Sequence, residues 1–280
     1  MLLEEKIKSL INEVQGEFGV YFEDTVDGTK ILLNENIVFS AASTIKIPLV
    51  ALGLKLYEEG KFDLNDEIEI KPENRVGGTG VLKTLNRNYK PTVSDLMTLA
   101  ITVSDNVATN QLVDLVGGFD NINSFSKSLG LNDTKFQRKM LDLKSLQEGK
   151  DNFTTAKDLG TILSLVAKDE CVSKESSELL LKMMKMQQFR QKLPNLIPAI
   201  TSYDAKATAD LPDEGKVLVA NKTGDLWKVQ HDVGIFILPK GERYVISVFS
   251  QKLAEDYEGV ETISKISKAA YEYMTKKYNY

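Results

Sequence analysis

Residues 41–50 read AASTIKIPLV, a run in which small and hydroxyl side chains lead into apolar ones. This pattern predicts a buried helix that begins close to Ser43. At the start of a helix, unpaired N–H groups and the positive end of the macrodipole favour negative charge on the serine oxygen. Lys46 follows three residues later on the same face, and a desolvated amine near another cation can accept the serine proton. We therefore predict that Ser43 is a nucleophile and Lys46 is its base.

The same Ser-x-x-Lys pattern occurs a second time, at Ser124 and Lys127. Both residue types are common, so a pattern that fixes only two positions recurs by chance. The second copy falls inside residues 121–129, where no helix start is available to the serine. We interpret the second copy as part of a surface helix. The spacing alone is therefore weak evidence for catalysis, and the assignment of Ser43 depends on further motifs.

The composition is typical of a globular protein. The chain has 280 residues, of which 42% are hydrophobic and 27% are charged. Its net charge is −5, and it contains no dense run of lysine and arginine. This balance argues against nucleic acid as a partner.

The chain contains one cysteine, Cys171, and one histidine, His231. An intrachain disulfide and a Cys/His zinc site are therefore excluded, and no metal or cofactor is predicted. A Ser-His-Asp triad would have to use His231, which we interpret as a polar residue at the start of a strand. If the chain is a serine enzyme, its base is expected to be a lysine.

The N-terminal segment has apolar residues at helical spacing among glutamates and lysines. These residues are Leu3, Ile7, Leu10, Ile11 and Val14. The pattern predicts an amphipathic helix and not the apolar core of a signal peptide, and no transmembrane span is apparent. The sequence as it stands predicts a cytoplasmic protein without a membrane partner, or a secreted one if a leader was removed.

Strands are predicted near both ends of the chain. Residues 19–24 and 30–33 flank an Asp-Gly turn and predict a β-hairpin. Three more strands are predicted at residues 217–220, 233–238 and 244–249, followed by an amphipathic helix. Because an isolated hairpin is marginally stable, we expect one sheet to combine both groups.

Helices are predicted between the two groups of strands, and no strand is expected from about residue 51 to 190. The fold class is therefore α+β: an α/β sandwich, with a mainly antiparallel sheet and helices on both faces, plus an all-helical subdomain. We expect a discontinuous α/β subdomain at residues 1–50 and 200–280 and a helical subdomain at residues 51–199. The active site should lie in the cleft between them.

Further motifs follow along the chain. Ser104, Asp105 and Asn106 lie where one predicted helix ends and the next begins, and Lys222, Thr223 and Gly224 follow a predicted strand. Residues 77–80 read GGTG but lack the Gly-Lys-Ser/Thr ending of a phosphate loop, so we expect a turn at the edge of a cleft. Either three-residue motif alone is compatible with an ordinary loop or turn.

The three motifs in this order resemble those of the penicillin-recognising serine enzymes. The aspartate of the second motif makes the chain look like a class A β-lactamase, and the resemblance extends over nearly the whole chain. It implies that Ser43 attacks a strained cyclic amide or an acyl-D-alanine-like carbonyl and forms an acyl-enzyme, while the N–H groups of Ser43 and Asp225 hold the oxyanion. It also implies a proton-transfer role for Ser104.

The resemblance assigns the remaining motif residues to substrate binding. Asn106 would bind the side-chain amide of the substrate, and Lys222 and Thr223 would face its carboxylate. Gly224 would leave room for the substrate to lie along the strand edge. Asp225 is unusual, because a carboxylate beside the substrate carboxylate would disfavour anionic substrates unless it points away.

The sequence departs from the family in the loop that follows the second motif. Class A enzymes carry an Arg-x-Glu there, and the matching stretch reads Arg138-Lys139-Met140, with residues 152–155 closing the loop. A thioether cannot act as a general base, so deacylation by the usual route is in doubt. Asp142 and Glu148 lie in the same loop and are candidate substitutes.

These features leave three functions open. The first is a β-lactamase-family serine hydrolase with slow deacylation, connected with antibiotic resistance. The second is a D-alanyl peptidase or esterase on the same site, and the third is a β-lactam-binding receptor without turnover. Each implies a small-molecule β-lactam or acyl-D-alanine-like partner and a monomer by default.

Overall fold

The computed structural model describes residues 2–200, 204, 206–207 and 209–280. The helices are α1 (Leu3–Asn12), α2 (Lys46–Glu58), α3 (Val93–Thr102), α4 (Asn106–Leu115), α5 (Phe119–Ser128), α6 (Leu143–Gln147), α7 (Ala156–Ala167), α8 (Lys174–Lys185) and α9 (Asp256–Lys277). The strands are β1 (Glu17–Asp24), β2 (Lys30–Leu33), β3 (Phe39–Ser40), β4 (Phe153–Thr154), β5 (Ala199–Ile200), β6 (Val217–Leu226), β7 (Val229–Ile237) and β8 (Arg243–Gln251).

One six-stranded sheet combines strands from both ends of the chain, in the order β2-β1-β8-β7-β6-β5. All pairs are antiparallel except the short edge pair of β5 and β6. The early hairpin joins the late strands because β1 pairs with β8. The predicted α+β fold class is therefore confirmed.

Helices cover both faces of this sheet, and side chains along β1 alternate between two hydrophobic clusters. Val20 and Phe22 belong to the cluster formed with α1 and α9. Tyr21 belongs to the other cluster, which includes α2, α3 and α7. The sheet is thus buried between two layers of helices.

Helix α2 lies inside the second cluster. Every residue from Lys46 to Leu54 is buried. A helix that is apolar on all sides is stable only when it is surrounded by protein, and α2 has such a sequence. This placement fixes the position of the turn that carries Ser43, immediately before α2.

Helix α7 approaches β1 closely at Gly160. A Cβ atom at this position would lie 2.3 Å from Cδ1 of Tyr21. The ring cannot move away freely, because the Tyr21 hydroxyl donates a hydrogen bond to buried Glu23. A glycine at residue 160 therefore permits the helix to pack on the sheet.

We expect Gly160→Ala to lower the free energy of unfolding by about 1–3 kcal/mol, since overpacking outweighs the better helix propensity of alanine. Gly53→Ala in α2 is the matched control, because the added Cβ would meet only the flexible Cε end of Met97. Urea denaturation of both variants checks the prediction. Equal stability of the two variants would contradict it.

Two differences from the sequence prediction lie close to the cleft. Strand β4 lies at Phe153–Thr154, in the region where no strand was expected, and pairs with β3. Strand β6 continues to Leu226, so Lys222, Thr223 and Gly224 lie within a strand and not at its end. Cross-strand pairing with β7 extends the strand beyond the apolar run that marks it in the sequence.

No helix of the described ranges is long and apolar enough to cross a membrane.

Candidate active site

Ser43 lies on a short 3-10 turn, Ala42–Ile45, that leads directly into α2. The hydroxyl of Thr44 donates to the carbonyl oxygen of Ala41 over 2.7 Å and closes the turn. Ala42 has a φ of +46°, a conformation that costs free energy for a residue with a side chain. The turn thus holds the half-buried Ser43 at the mouth of a cleft.

Lys46 is the first residue of α2 and is completely buried. Its Nζ lies 2.8 Å from the Ser104 carbonyl oxygen, 3.0 Å from Ser104 Oγ and 3.0 Å from Asn106 Oδ1. Burial lowers the pKa of Lys46 well below its ordinary value, and the charge of Lys222 lowers it further. Lys46 therefore has the character of a neutral amine that can accept a proton.

Ser43 and Lys46 are close in sequence, but no hydrogen bond joins their side chains in the described structure. Lys46 Nζ is directed instead at the second motif. Catalytic hydrogen bonds are often absent before substrate binds, so this geometry leaves the predicted Ser43–Lys46 transfer as a proposal.

Ser104 is the centre of the site. Its Oγ lies 3.0 Å from Lys46 Nζ and 3.1 Å from Lys222 Nζ. The residue has a φ of +54°, which turns the short segment between α3 and α4 so that both lysines reach it. A hydroxyl between two amines can take a proton from one side and pass one on at the other.

Asp105 holds this segment in place. Its Oδ2 accepts hydrogen bonds from the backbone N–H groups of Val81 and Leu82, at 2.6 and 2.8 Å, and its Oδ1 caps α4 through the N–H of Ala108. A Cβ at Gly80 would lie 2.3 Å from Asp105 Oδ2, so glycine is required there. Asp105 is fully buried and braces the loop.

Lys222 lies on β6 and is completely buried. It donates to Ser104 Oγ and, over 2.8 Å, to the carbonyl oxygen of Thr223. Burial lowers the pKa of Lys222 to about 7, and Lys192 lowers it as well, while Asp225 and Asp232 act in the opposite direction. Its charge is therefore sensitive to pH near neutrality.

Gly224 lies where β6 crosses the nucleophile turn. A Cβ there would lie 3.1 Å from Thr44 Cγ2 and 3.2 Å from both Ala42 Cβ and His231 Cδ2. This contact adds a packing reason for the glycine to the substrate-binding reason implied by the resemblance. The close approach brings the strand that carries Lys222 next to Ser43.

The cleft encloses about 210 Å³. Of the residues predicted for the site, Ser43, Ser104, Asn106, Thr223 and Asp225 line it. The other lining residues are Ala42, Gly78, Thr79, Arg138, Met140, Leu141, Asp151, Asn152, Phe189 and Leu226. Lys46 and Lys222 lie buried behind this wall, and the Gly78–Thr79 turn forms part of its edge, as expected.

The loop that carries Met140 is clamped onto α4. Asn110 accepts a hydrogen bond from the Met140 N–H, at 2.7 Å, and donates to the Met140 carbonyl oxygen, at 3.2 Å. The methionine side chain is buried and lines the cleft. A thioether therefore forms part of the cleft wall at residue 140.

An ion pair closes the base of this loop. Arg138 Nη2 and Nε lie 2.7 and 2.8 Å from Asp151 Oδ1, and Asp151 Oδ2 accepts from the Ser40 hydroxyl over 2.6 Å. The side chain of Asn152 adds hydrogen bonds to the backbone of residues 137 and 138. The sequence analysis missed Asp151, although the arginine at the other end of the loop is a signal for such a partner.

The two carboxylates of this loop that the sequence analysis named as candidate bases lie elsewhere. Asp142 caps α6, where it accepts from the N–H and hydroxyl of Ser145 at 3.0 and 2.7 Å. Glu148 is exposed and pairs with Lys150 at 3.0 Å. Neither is among the residues that line the cleft in the described structure.

His231 is a structural residue of β7. Its Nε2 donates to the Ser40 carbonyl oxygen over 2.9 Å, and its Nδ1 accepts from the Ser250 N–H over 3.2 Å. Burial lowers the pKa of His231 to about 4, so the ring is neutral at physiological pH. The second Ser-x-x-Lys copy, at Ser124 and Lys127, is exposed on α5.

The comparisons with known proteins agree with the fold and the motifs. The Beta-lactamase enzyme family model matches residues 2–274. The extended-spectrum β-lactamase PER-1 of Pseudomonas aeruginosa is 26% identical over 99% of this chain and 88% of its own length.

Two solved structures are also similar to this chain. A β-lactamase from Sphaerobacter thermophilus has a TM-score of 0.83 and 29% identity, covering 97% of this chain and 96% of that one. A PBP-A variant, solved as an acyl-enzyme complex with penicillin G, has a TM-score of 0.84 and 28% identity, covering 98% and 96% of the two chains. The chain therefore belongs to the β-lactamase enzyme family and is a β-lactamase-like hydrolase of the class A type.

Proposed function

We propose that this protein opens the amide bond of β-lactams through an acyl-enzyme on Ser43 and releases the product slowly. The observation that supports it best is the Ser104 hydroxyl, held between the buried amines of Lys46 and Lys222 in the cleft that Ser43 lines. A seryl hydroxyl needs a base to become a nucleophile, and this is the arrangement of amines and hydroxyls that supplies one. The acyl-enzyme seen for the PBP-A variant is consistent with the first step.

Acylation uses the buried lysine as base. Neutral Lys46 accepts the proton of Ser43, whose Oγ attacks the carbonyl carbon, while the N–H groups of Ser43 and Asp225 stabilise the oxyanion. The C–N bond then breaks, and the Ser104 hydroxyl donates a proton to the leaving nitrogen. The proton that Lys46 accepted returns to Ser104, and the positive charge of protonated Lys222 beside Ser104 Oγ favours this transfer, so protons balance over the step.

Deacylation requires water to attack the ester formed on Ser43. The loop side of the cleft carries Met140, which accepts no proton, and the two carboxylates that line the described cleft are each held in an ion pair. Asp151 is bound to Arg138 and Ser40, and Asp225 is bound to Lys192. A general base contributes about 10²–10⁴-fold, so the ester should hydrolyse slowly.

Rapid mixing with an excess of a chromogenic cephalosporin tests this function. We expect a burst of product equal to the enzyme concentration, followed by a much slower steady state, since acylation is faster than release. A linear time course without a burst, at a high rate, would contradict slow release. Absence of both burst and turnover would contradict the function itself.

The missing base also supports a second candidate, a peptidase or a receptor that β-lactams acylate without turnover. Met140 in the cleft wall is the observation that favours it. Release of D-alanine from an acyl-D-alanyl-D-alanine peptide would identify the peptidase. A stable adduct with no hydrolysis of either substrate would identify the receptor.

We expect acylation to lose rate as the pH rises through about 7. Acylation needs Lys46 neutral, a state favoured by high pH, and Lys222 protonated, a state lost as the pH rises through its pKa of about 7. Second-order acylation constants measured from about pH 5 to pH 10 should therefore fall above neutrality. The fall should disappear in Lys222→Arg, since a guanidinium keeps its proton. A native profile that is flat above pH 7 would contradict the assignment.

A further inference from the structure

The charged residues that line the cleft are Arg138, Asp151 and Asp225. Arg138 and Asp151 form an ion pair at 2.7 Å and neutralise each other, and Ser40 occupies the second oxygen of Asp151. This pair therefore presents little net charge to a ligand. Asp225 remains as the charged group that a ligand meets on the opposite wall.

The Asp225 side chain is 49% exposed, and among the described residues only Lys192 binds it, through Oδ1. Oδ1 lies 2.7 Å from Nζ of Lys192, which is completely buried. The same ammonium donates to the carbonyl oxygens of Gly224 and His231, at 3.2 and 3.0 Å. All three protons of Lys192 are thus engaged behind the strand, while Oδ2 of Asp225 accepts no hydrogen bond from the described residues.

The other cations of the site are farther from a ligand than Asp225 is. Lys46 and Lys222 are fully buried and are not among the residues that line the cleft. Lys222 already donates to Ser104 Oγ and to the Thr223 carbonyl oxygen. Asp225 is therefore the accessible charged side chain at this end of the cleft, and its Oδ2 accepts no hydrogen bond from the described residues.

This arrangement discriminates between ligand groups by charge and by hydrogen-bonding capacity. A carboxylate beside Asp225 would be repelled, because two like charges placed together raise the free energy of the complex. An N–H donor would gain a charge-assisted hydrogen bond to Oδ2. A cation would gain the same bond but would lie against the buried charges of Lys192 and Lys222. The chemistry that fits best is a neutral N–H donor.

We propose that Asp225 is a specificity-determining residue that selects acyl donors with a neutral N–H donor, such as a primary carboxamide, in place of a carboxylate at the β6 end of the cleft. The proposal rests on the proposed function, because the selection is expressed in the acylation of Ser43. It names a substrate class that differs from the anionic one implied by the family resemblance.

The test compares three forms of one β-lactam: benzylpenicillin, its methyl ester and its primary carboxamide. Second-order rate constants for Ser43 adduct formation are measured by intact-protein mass spectrometry. In the native protein the carboxamide should acylate about tenfold or more faster than the acid, with the ester between them, because the ester removes the charge without adding a donor.

Asp225→Asn keeps an oxygen for Lys192 and removes the negative charge. We expect it to accelerate acylation by the acid about tenfold and to reduce the advantage of the carboxamide. Glu148→Gln is the matched control, because it removes one negative charge from an exposed residue outside the cleft lining, and it should leave the ratios unchanged.

An acid that acylates the native protein as fast as the carboxamide would overturn the proposal, whatever the behaviour of the variants. Unchanged ratios in a folded Asp225→Asn protein would also overturn it. In both cases adducts still form, so the proposed function would stand. Absence of adducts with all three compounds would overturn the proposed function and this inference together.

Discussion

Ser43→Ala is expected to abolish covalent labelling by a β-lactam, with a loss of about 10³-fold or more in the acylation rate. The variant lacks the hydroxyl that lines the cleft immediately before α2, and removal of a catalytic nucleophile has effects of this size. The fold should persist, because the Ser43 side chain makes no hydrogen bond within the described residues. Intact-protein mass spectrometry with benzylpenicillin measures the adduct.

Ser124→Ala is the matched control for this prediction. Ser124 and Lys127 reproduce the spacing of Ser43 and Lys46 but lie exposed on α5. Labelling of this variant should equal that of the native protein. An adduct that survives Ser43→Ala would contradict the assignment of the nucleophile, whichever residue then carries it.

Met140→Glu is expected to raise β-lactam turnover by about 10²–10⁴-fold, the range that a general base contributes. The backbone at this position is fixed by two hydrogen bonds to Asn110, so a new carboxylate would project from the same point of the cleft wall. Acylation should change little, because Met140 makes no hydrogen bond to Lys46 or Ser104 in the described structure. The measurement is the rate at which a preformed acyl-enzyme decays.

Met140→Gln is the control for the shape and polarity of the new side chain. Glutamine has nearly the same size as glutamate but cannot accept a proton at neutral pH, so its acyl-enzyme should decay as slowly as that of the native protein. Equal acceleration by both substitutions would point to better access of water. No acceleration by glutamate would mean that the loop does not place a base correctly.

The fold was predictable because the apolar periodicities are strong and local. The apolar runs of the late strands and the Asp-Gly turn of the hairpin predict a sheet from both chain ends, and the described structure confirms it. The nucleophile helix was predictable for the same reason, since the uninterrupted apolar run at residues 47–54 must be buried. Pairing of β3 with β4 was not predictable, because two-residue strands leave no periodic signal.

The site was predictable where neighbouring residues form a motif. It was not predictable where residues far apart in the sequence meet. Lys192 pairs with Asp225 and Asn110 hydrogen-bonds to Met140, and no local sequence pattern indicates either contact. Ala42, Ser104 and Leu141 line the cleft and have left-handed backbone conformations. These conformations were not predictable, because the surrounding fold and not the residue type imposes them. The division into two subdomains and the roles assigned to single site residues stay predictions.

The most direct measurement is a time course of intact-protein mass after the native protein is mixed with an excess of benzylpenicillin, followed by peptide mapping of any adduct. We expect a single adduct on the peptide that contains Ser43. This adduct should persist far longer than the time in which it forms. An adduct on another peptide, or product that accumulates while the adduct stays transient, would contradict this expectation.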